Sequence, residues 1–513
     1  MVAFLFAVLL GANAVTWAAA GADERTGMDP GSQHLTLREA IRLALLNNRE
    51  LQIQRINPDV ARVTLGGAFG YYDPALIADA RHENATDTGG FDPADFSRDA
   101  IYSAESYVTR FGLTGFLPSG LSYTLNGDYA HSSGDRNGLN FDSYKIAGGA
   151  TVRQPLLKNF WIDQGRMIIQ VSRRELRISE LGVDYVTMST INDVQQSYFE
   201  LQYAQESAGV AWQLLESRRR MLAGVQRRLQ EGLATVSDET SARSQVALAE
   251  LDVLTASNSV WMSENQLKSL LGDSFTNPVE KRVVPVERLV AVPTLFDTLE
   301  SFHRGLEQRP DVAQLKQEVE KAGIDLRFRR NQLFPGLDVV AGYGRRGASS
   351  AQVLPPASAR ASLSEATDQW LDGDSPSDML GVIFSMPLSR KSERENFRAS
   401  KYLKAQADLR VKQREELVLR EILDALANAR ASLARADAAQ RARRDAQTAA
   451  DDEEKKLLGG KSTLFFVWQM QDGLTRAQNA ELRAKADYNR ALSQLHFAEG
   501  SLLEKVGVTI SIR

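Results

Sequence analysis

The chain is written twice. Arg309-Pro310-Asp311-Val312 through Leu333-Phe334-Pro335 restates Arg49-Glu50-Leu51 through Tyr72-Asp73-Pro74, and Pro335 stands 261 residues after Pro74. A second pair, Gly232-Leu233-Ala234-Thr235 and Gly460-Lys461-Ser462-Thr463, repeats at a spacing of 228. One element order used twice predicts a pseudo-symmetric protomer rather than two unrelated domains. The two spacings differ by 33 residues, so the first copy carries an insertion between Pro74 and Gly232. The copies are expected at 35–272 and 294–503, joined by a linker at 273–293 containing Pro278, Pro285 and Pro293 and followed by a tail at 504–513.

A formal charge of -4, from 61 basic and 65 acidic residues, offers no basic excess for nucleic acid. Cysteine is absent, which excludes disulfides, thiolate metal sites, a Cys nucleophile and an S-linked acyl anchor. The apolar run 2–15 with the small residues 17–22 reads as a secretory signal over 1–22, unusual in having no Lys or Arg ahead of it. Beyond it no run of 18 apolar residues occurs, so a bilayer-spanning structure would have to be a closed barrel.

Residues 36–63 carry a helical period with a break at Asn47-Asn48. After Asp73-Pro74 the period becomes two. Tyr107, Phe111, Leu113 and Leu117 alternate with small or polar neighbours, and beyond Pro118-Ser119-Gly120 so do Leu121, Tyr123, Leu125 and Tyr129. A soluble, half-buried hairpin shows this pattern, and so does a membrane barrel with lipid outside and water inside. Long polar stretches at 85–103 and 132–143 against the minimal Pro118 turn favour the barrel. From 159 to 233 apolar residues step by threes and fours, which predicts a helix of roughly 100 Å. It returns over 237–271. The second copy repeats the scheme: strands at 337–343 and 380–386 around a polar loop, a helix at 392–458, a break at Gly459-Gly460 and a return to 503.

No catalytic or metal constellation assembles. Gly342-Tyr343-Gly344-Arg345-Arg346-Gly347 matches a dinucleotide-binding glycine pattern but leads into Ala348-Ser349-Ser350 rather than opening a helix. It is expected to be a glycine-rich strand end. Gly460-Lys461-Ser462 lacks the first glycine of a phosphate loop, and the five His residues are scattered without metal-site spacing. The chain is expected not to be an enzyme and to need no cofactor.

Thr36-Leu37, Ala40, Ala44-Leu45, Asn47-Asn48, Arg309-Pro310-Asp311-Val312, Leu333-Phe334-Pro335, Arg153-Gln154-Pro155-Leu156 and the paired glycine breaks, taken in order, resemble the TolC-type outer-membrane efflux protein family. The resemblance implies an α+β membrane protein: a trimeric transmembrane β-barrel continuous with a long periplasmic α-helical barrel. Its role would be the outer-membrane channel of a tripartite efflux or type I secretion system. The implied partners are two further copies, a periplasmic membrane-fusion adaptor, an inner-membrane RND or ABC transporter, and outer-membrane lipid. The competing reading is a periplasmic coiled-coil adaptor or scaffold, since long helical stripes serve that role as well.

The family's helix-turn-helix tips meet the adaptor, which assigns Gly232, Leu233, Thr235, Gly460, Ser462 and Thr463 to docking. Counted from the glycines, Asp238 falls in the first tip, while Phe466 and Gln469 stand where the family's best-known member has aspartates lining the entrance. These three are the expected periplasmic gate: an apolar plug from Phe466, with Asp238 available to tie the closed state. Packing against a neighbouring helix is the competing role for Phe466. The insertion is also readable. Pro74 and Pro155 are 81 residues apart, Pro335 and Pro387 only 52, so 29 of the 33 extra residues lie among the strands. Four strands at 76–84, 107–117, 121–131 and 144–156, with two from the second copy, predict six per protomer and 18 per trimer, against the family's usual twelve. A twelve-stranded barrel with the hairpin folded outside it is the alternative.

Overall fold

The structure is a computed structural model that describes residues 32–87, 91–92, 97–98, 102–136, 138–272, 282–294 and 296–507. The expected signal segment and the last residues of the tail lie outside these. The first half runs β1 (Ser32–Leu35), α1 (Leu37–Asn47), α2 (Arg49–Phe69), a 3-10 turn (Gly70–Tyr72), β2 (Ala75–Asp87), a small hairpin of β3 (Phe91–Asp92) and β4 (Ser97–Arg98), β5 (Tyr102–Phe116), β6 (Ser122–Arg136), β7 (Leu139–Pro155), α3 (Gln164–Gln230) and α4 (Val236–Leu271). The second runs β8 (Arg282–Pro285), α5 (Thr298–Gln308), α6 (Pro310–Asn331), β9 (Gly336–Val353), α7 (Leu363–Asp372), β10 (Pro376–Ser385), α8 (Lys391–Leu458), α9 (Leu464–Ala498) and α10 (Leu502–Val506). Asn48 explains the early break: it ends α1 in extended conformation, and its side chain accepts from Leu51 N at 3.0 Å to start α2.

Six strands form one antiparallel sheet in the order β10-β9-β7-β6-β5-β2. The β5–β6 hairpin is therefore hydrogen-bonded on both sides, to β2 and to β7. Its turn at 118–120 closes through Leu117 N to Leu121 O at 2.7 Å, with Gly120 at φ +86. Cross-strand partners share a face. One face carries the rows Leu76–Leu113–Leu125–Ala150–Tyr343 and His82–Tyr107–His131–Tyr144. The other carries Thr114–Thr124–Thr151 and Asp79–Arg110–Asp128, with Ile77, Val108, Phe116, Val340, Met379 and Ile383 as apolar exceptions. Phe111, Leu125, Tyr343, Leu380 and Phe384 on the apolar face are exposed within the chain.

The helices continue from one end of the sheet. At 67 and 68 residues, α3 and α8 are each about 100 Å long. Near the sheet the helices lie side by side as α2-α3-α6-α8, and farther away as α4-α3-α9-α8. One flank of the protomer thus ends in β2, α2 and α4, the other in β10 and α8. Exposed apolar side chains mark both: Ile53, Ile56, Val60 and Val63 step along α2, while Tyr402, Leu403 and Leu409 lie on α8.

The densest packing is midway along the helices. Ile41, Ala44 and Leu45 of α1 pack with Ile191, Val194 and Leu201 of α3 and Leu267 and Leu271 of α4. A second cluster joins Val312, Val418, Ile422, Leu426 and Leu495. The expected linker is not a bare connection. Its β8 pairs in parallel with β1, and its carbonyls at Val283, Glu287, Val290 and Val292 accept bonds from Gln205, Gln202, Asn489 and Tyr488.

Three other expectations change. The stretch 132–143 is not a long loop, because β6 runs to Arg136 and β7 starts at Leu139. The glycine pattern 342–347 lies inside β9, which extends ten residues beyond the expected Tyr343. The polar loop after it contains the helix α7.

Candidate functional site

The ends of the two long hairpins are built on one backbone plan. At the first, α3 stops at Gln230 and Gly232 turns with φ +77, letting Gly232 N reach Leu229 O at 3.0 Å and Leu233 N reach Arg228 O at 2.7 Å. At the second, Gly460 turns with φ +67, and Gly460 N and Lys461 N reach Leu457 O at 3.0 Å and Lys456 O at 2.8 Å. Both are left-handed glycine stops that satisfy the last carbonyls of a helix. Thr235 and Thr463 then start the returning helices in extended conformation.

The side chains differ. Thr235 and Asp238 form a reciprocal capping box: Asp238 N donates to Thr235 Oγ1 at 3.2 Å, and Thr235 N donates to the Asp238 carboxylate at 2.9 Å. Its bonds to Thr235 hold the Asp238 carboxyl below its ordinary pKa. In the second tip the equivalent third residue is Phe466, and Thr463 makes no side-chain cap. Ser462 donates instead to Glu453, which also pairs with Lys456 at 2.9 Å.

Exposure separates the assigned residues into two sets. Leu233 is 74% exposed and projects from the first tip with Val236; Leu458 and Phe465 do the same at the second. Phe466 is 49% exposed and Gln469, one turn on, is exposed as well, while Val467 is the residue buried in the protomer. Phe466 meets Phe465 edge-on with ring centroids 5.7 Å apart.

A model of the outer membrane efflux protein family matches residues 116–273 and 302–501. The chain belongs to the outer membrane efflux protein family. It is 25% identical over 173 residues to the probable outer membrane lipoprotein SilC of Salmonella typhimurium, an alignment that takes in 34% of this chain and 37% of that relative. The chain therefore spans about a third of the length of the curated relative that it matches. Among solved structures, CusC superposes with a TM-score of 0.64 at 15% identity, covering 93% of this chain and 95% of its own. VceC of Vibrio cholerae gives 0.63 at 16%, covering 90% and 96%. These likenesses establish the fold.

In this efflux-family protein the sequence left one cluster undetected. Between α3 and α9, on the tip side of the molecule, Arg218 is buried and donates to Asp472 and to Trp468 O at 3.4 Å. Arg218 Nη1, Trp468 Nε1 and Gln471 Oε1 are buried there without partners among the described residues. Toward the middle the same seam is well satisfied, with Glu200 bound by Arg483 at 2.9 Å and Arg490 at 2.7 Å, and Asn192 bound by Ser493 at 3.1 Å. The α3–α4 seam is apolar instead, built from Ala211, Leu215, Ala249 and Val253. A single arginine in a helical stripe carries no signal until its partner helix is placed.

Proposed function

We propose that the protein is the outer-membrane channel of a tripartite export system. Three copies would enclose one conduit, and cargo would reach it from an inner-membrane pump through a periplasmic adaptor. The observation that carries the reading is that one chain joins a sheet, whose apolar face is left open across β2, β5, β6 and β10, to helices about 100 Å long. A soluble adaptor or scaffold would have to hide that face. Open sheet edges cannot sit in lipid, so β2 must meet β10 of another copy. The same flanks carry the exposed stripes of α2 and α8, which would pack together below.

The barrel in this reading has 18 strands. The β5–β6 hairpin supports it by its bonds on both sides and by alternation in phase with its neighbours. The stacked row His82–Tyr107–His131–Tyr144, with centroid spacings of 4.7, 6.3 and 4.3 Å, crosses the hairpin without interruption. If β2 and β10 align at their helix-proximal ends, Leu76 falls opposite Phe384 and Ile77 opposite Ile383, each pair on one face. Because the natural chain has no cysteine, Ala78→Cys with Val382→Cys should cross-link the purified protein into covalent trimers. A trimer that cross-links Leu76→Cys to a cysteine on β7, with the hairpin free, would establish the twelve-stranded form.

The two tips would dock the adaptor, through Leu233 and Thr235 beside Gly232 on one hairpin and Ser462 and Thr463 beside Gly460 on the other. Leu233→Asp should abolish export and leave trimer yield and membrane insertion unchanged; unchanged export would remove the docking role. Phe466 and Gln469 would line the constriction, the three Phe rings closing it by apolar contact and dewetting. Phe466→Ala trimers in planar bilayers should open more often or more widely with little gain in cation selectivity. Unchanged conductance with a lowered melting temperature would mark Phe466 as a packing residue.

A further inference from the structure

The helix α7 is the one element of the β9–β10 connection that the channel reading leaves without a role. It sits at the end of the sheet remote from the long helices, and it packs on the sheet's apolar face. A Cβ added at Gly347 would lie 1.9 Å from Ala366 O, and one at Gly148 would lie 3.0 Å from the Trp370 ring. Both glycines belong to the face that carries Phe111, Leu125 and Tyr343.

The strands beneath α7 differ from the strands beside it. In the row of Phe111, β7 presents Gly148, and in the rows of Tyr129 and Tyr107, β9 presents Gly347 and Ser349, while β7 keeps Ile146 and Tyr144 beside them. The helix seats over these small positions and carries large side chains of its own. Successive helical positions are about 100° apart. Trp370, Leu363, Thr367 and Leu371 accordingly follow one another around one flank of α7, and Glu365, Asp368 and Asp372 occupy the other. Leu363 and Leu371 are exposed in the chain.

The helix is fixed in place. Gln369 Oε1 accepts from Ala348 N at 3.2 Å, Ser349 Oγ donates to Glu365 at 2.7 Å, and Arg345 donates to Leu371 O at 3.1 Å at the C-terminal end. Asp142 accepts from Ala361 N at 2.8 Å just before the helix begins.

We propose that α7 is a lipid-contacting element, clamped to the outside of the barrel in the outer leaflet, with its Leu363–Leu371 flank against acyl chains and its acidic flank toward the aqueous boundary. The proposal rests on the membrane-barrel reading. Its basis is continuity: the exposed flank of α7 restores, over a glycine and serine floor, the apolar surface that the neighbouring strands provide directly. Amphipathic helices with this division lie in the plane of a membrane interface.

Full-length trimers in liposomes carrying one introduced cysteine each, Leu371→Cys, Thr367→Cys, Phe111→Cys or Asp128→Cys, would be labelled with an environment-sensitive fluorophore and exposed to spin-labelled lipid. Labels at Leu371→Cys and Thr367→Cys should be quenched within about twofold of the label at Phe111→Cys, while the one at Asp128→Cys escapes. Quenching at Phe111→Cys without quenching at either α7 position overturns the proposal and leaves the barrel standing, because the helix would then lie above the acyl chains, in water. Absence of quenching at Phe111→Cys overturns the barrel itself and α7's role with it.

Discussion

Arg309 and Arg218 are both 2% exposed, yet they live in opposite circumstances. Arg309, midway along the molecule, pairs with Asp311 at 2.9 Å and Glu421 at 2.6 Å and donates to Ala498 O at 3.2 Å; Arg414 closes the network onto the same two carboxylates. Burial alone would lower the Arg309 pKa, but Asp311 and Glu421 outweigh it and raise the value. Arg218, between α3 and α9 on the tip side, has one carboxylate partner that is itself half exposed, and its pKa falls because burial outweighs Asp472. A buried group with unmet bonds has something to gain from another arrangement, and a fully bonded one has not. The network around Arg309 is therefore a fixed part, and the seam around Arg218 is where this fold can give.

The largest effect should come from breaking the fixed part. Arg309→Met leaves Asp311 and Glu421 with Arg414 as their one remaining cation and should cost about 3 kcal/mol, read as a lower melting temperature. The pH dependence follows from Asp311, whose pKa is held below 3.8 because Arg309 and Arg414 together outweigh its burial. Its contribution is complete above about pH 4 and is lost as pH falls through the lower folded value. Asp311→Asn should lower the melting temperature at pH 7 and flatten the acid limb of the stability curve.

At the tips, Gly232→Ala and Gly460→Ala should each cost about 1 kcal/mol, since both positions hold left-handed backbone. Equal losses would support the shared turn plan, and unequal ones would break it. A smaller loss is expected from Asp238→Ala, which opens the capping box, while Phe466→Asp gives the second tip the box that it lacks and should raise its helix stability. The smallest change in stability belongs to Arg218→Met. Replacing an under-bonded buried cation by an apolar chain of similar size should leave the melting temperature within about 1 kcal/mol of the parent. The same variant should alter the frequency of channel openings. A melting loss as large as that of Arg309→Met would erase the contrast between the two regions.

Much of this was readable from period and punctuation. The long helices announce themselves by apolar steps of three and four, and the glycines at 232 and 460 mark their ends because few other residues accept the backbone there. The hairpin around Pro118 was legible because one of its two faces is aromatic and aliphatic. The upper half of β9 was not, for the opposite reason: under α7 its positions on the apolar face are Gly347 and Ser349, so the alternation that betrays a strand is missing. The ends of β6 and β7 vanish similarly, since Ser132, Ser133, Asp142 and Ser143 make both faces polar. Ten-residue α7, inside a polar stretch, and four-residue β8 are too short to carry a period. Exposure of Phe466 depends on which residue of the first turn faces α8, and that was settled only by placing Val467 inside.

The six-stranded sheet also bears on girth. Eighteen strands spaced about 4.8 Å and tilted about 40° make a perimeter of about 110 Å. Twelve helices packed about 9–10 Å apart make a cylinder of about 110–120 Å, whereas twelve such strands would reach only about 75 Å. In the proposed trimer the two cylinders are nearly commensurate, so the wall changes from helix to strand without a funnel. Cargo that clears the upper helices meets no second narrowing at the membrane, and the whole burden of sealing the duct falls on its far end.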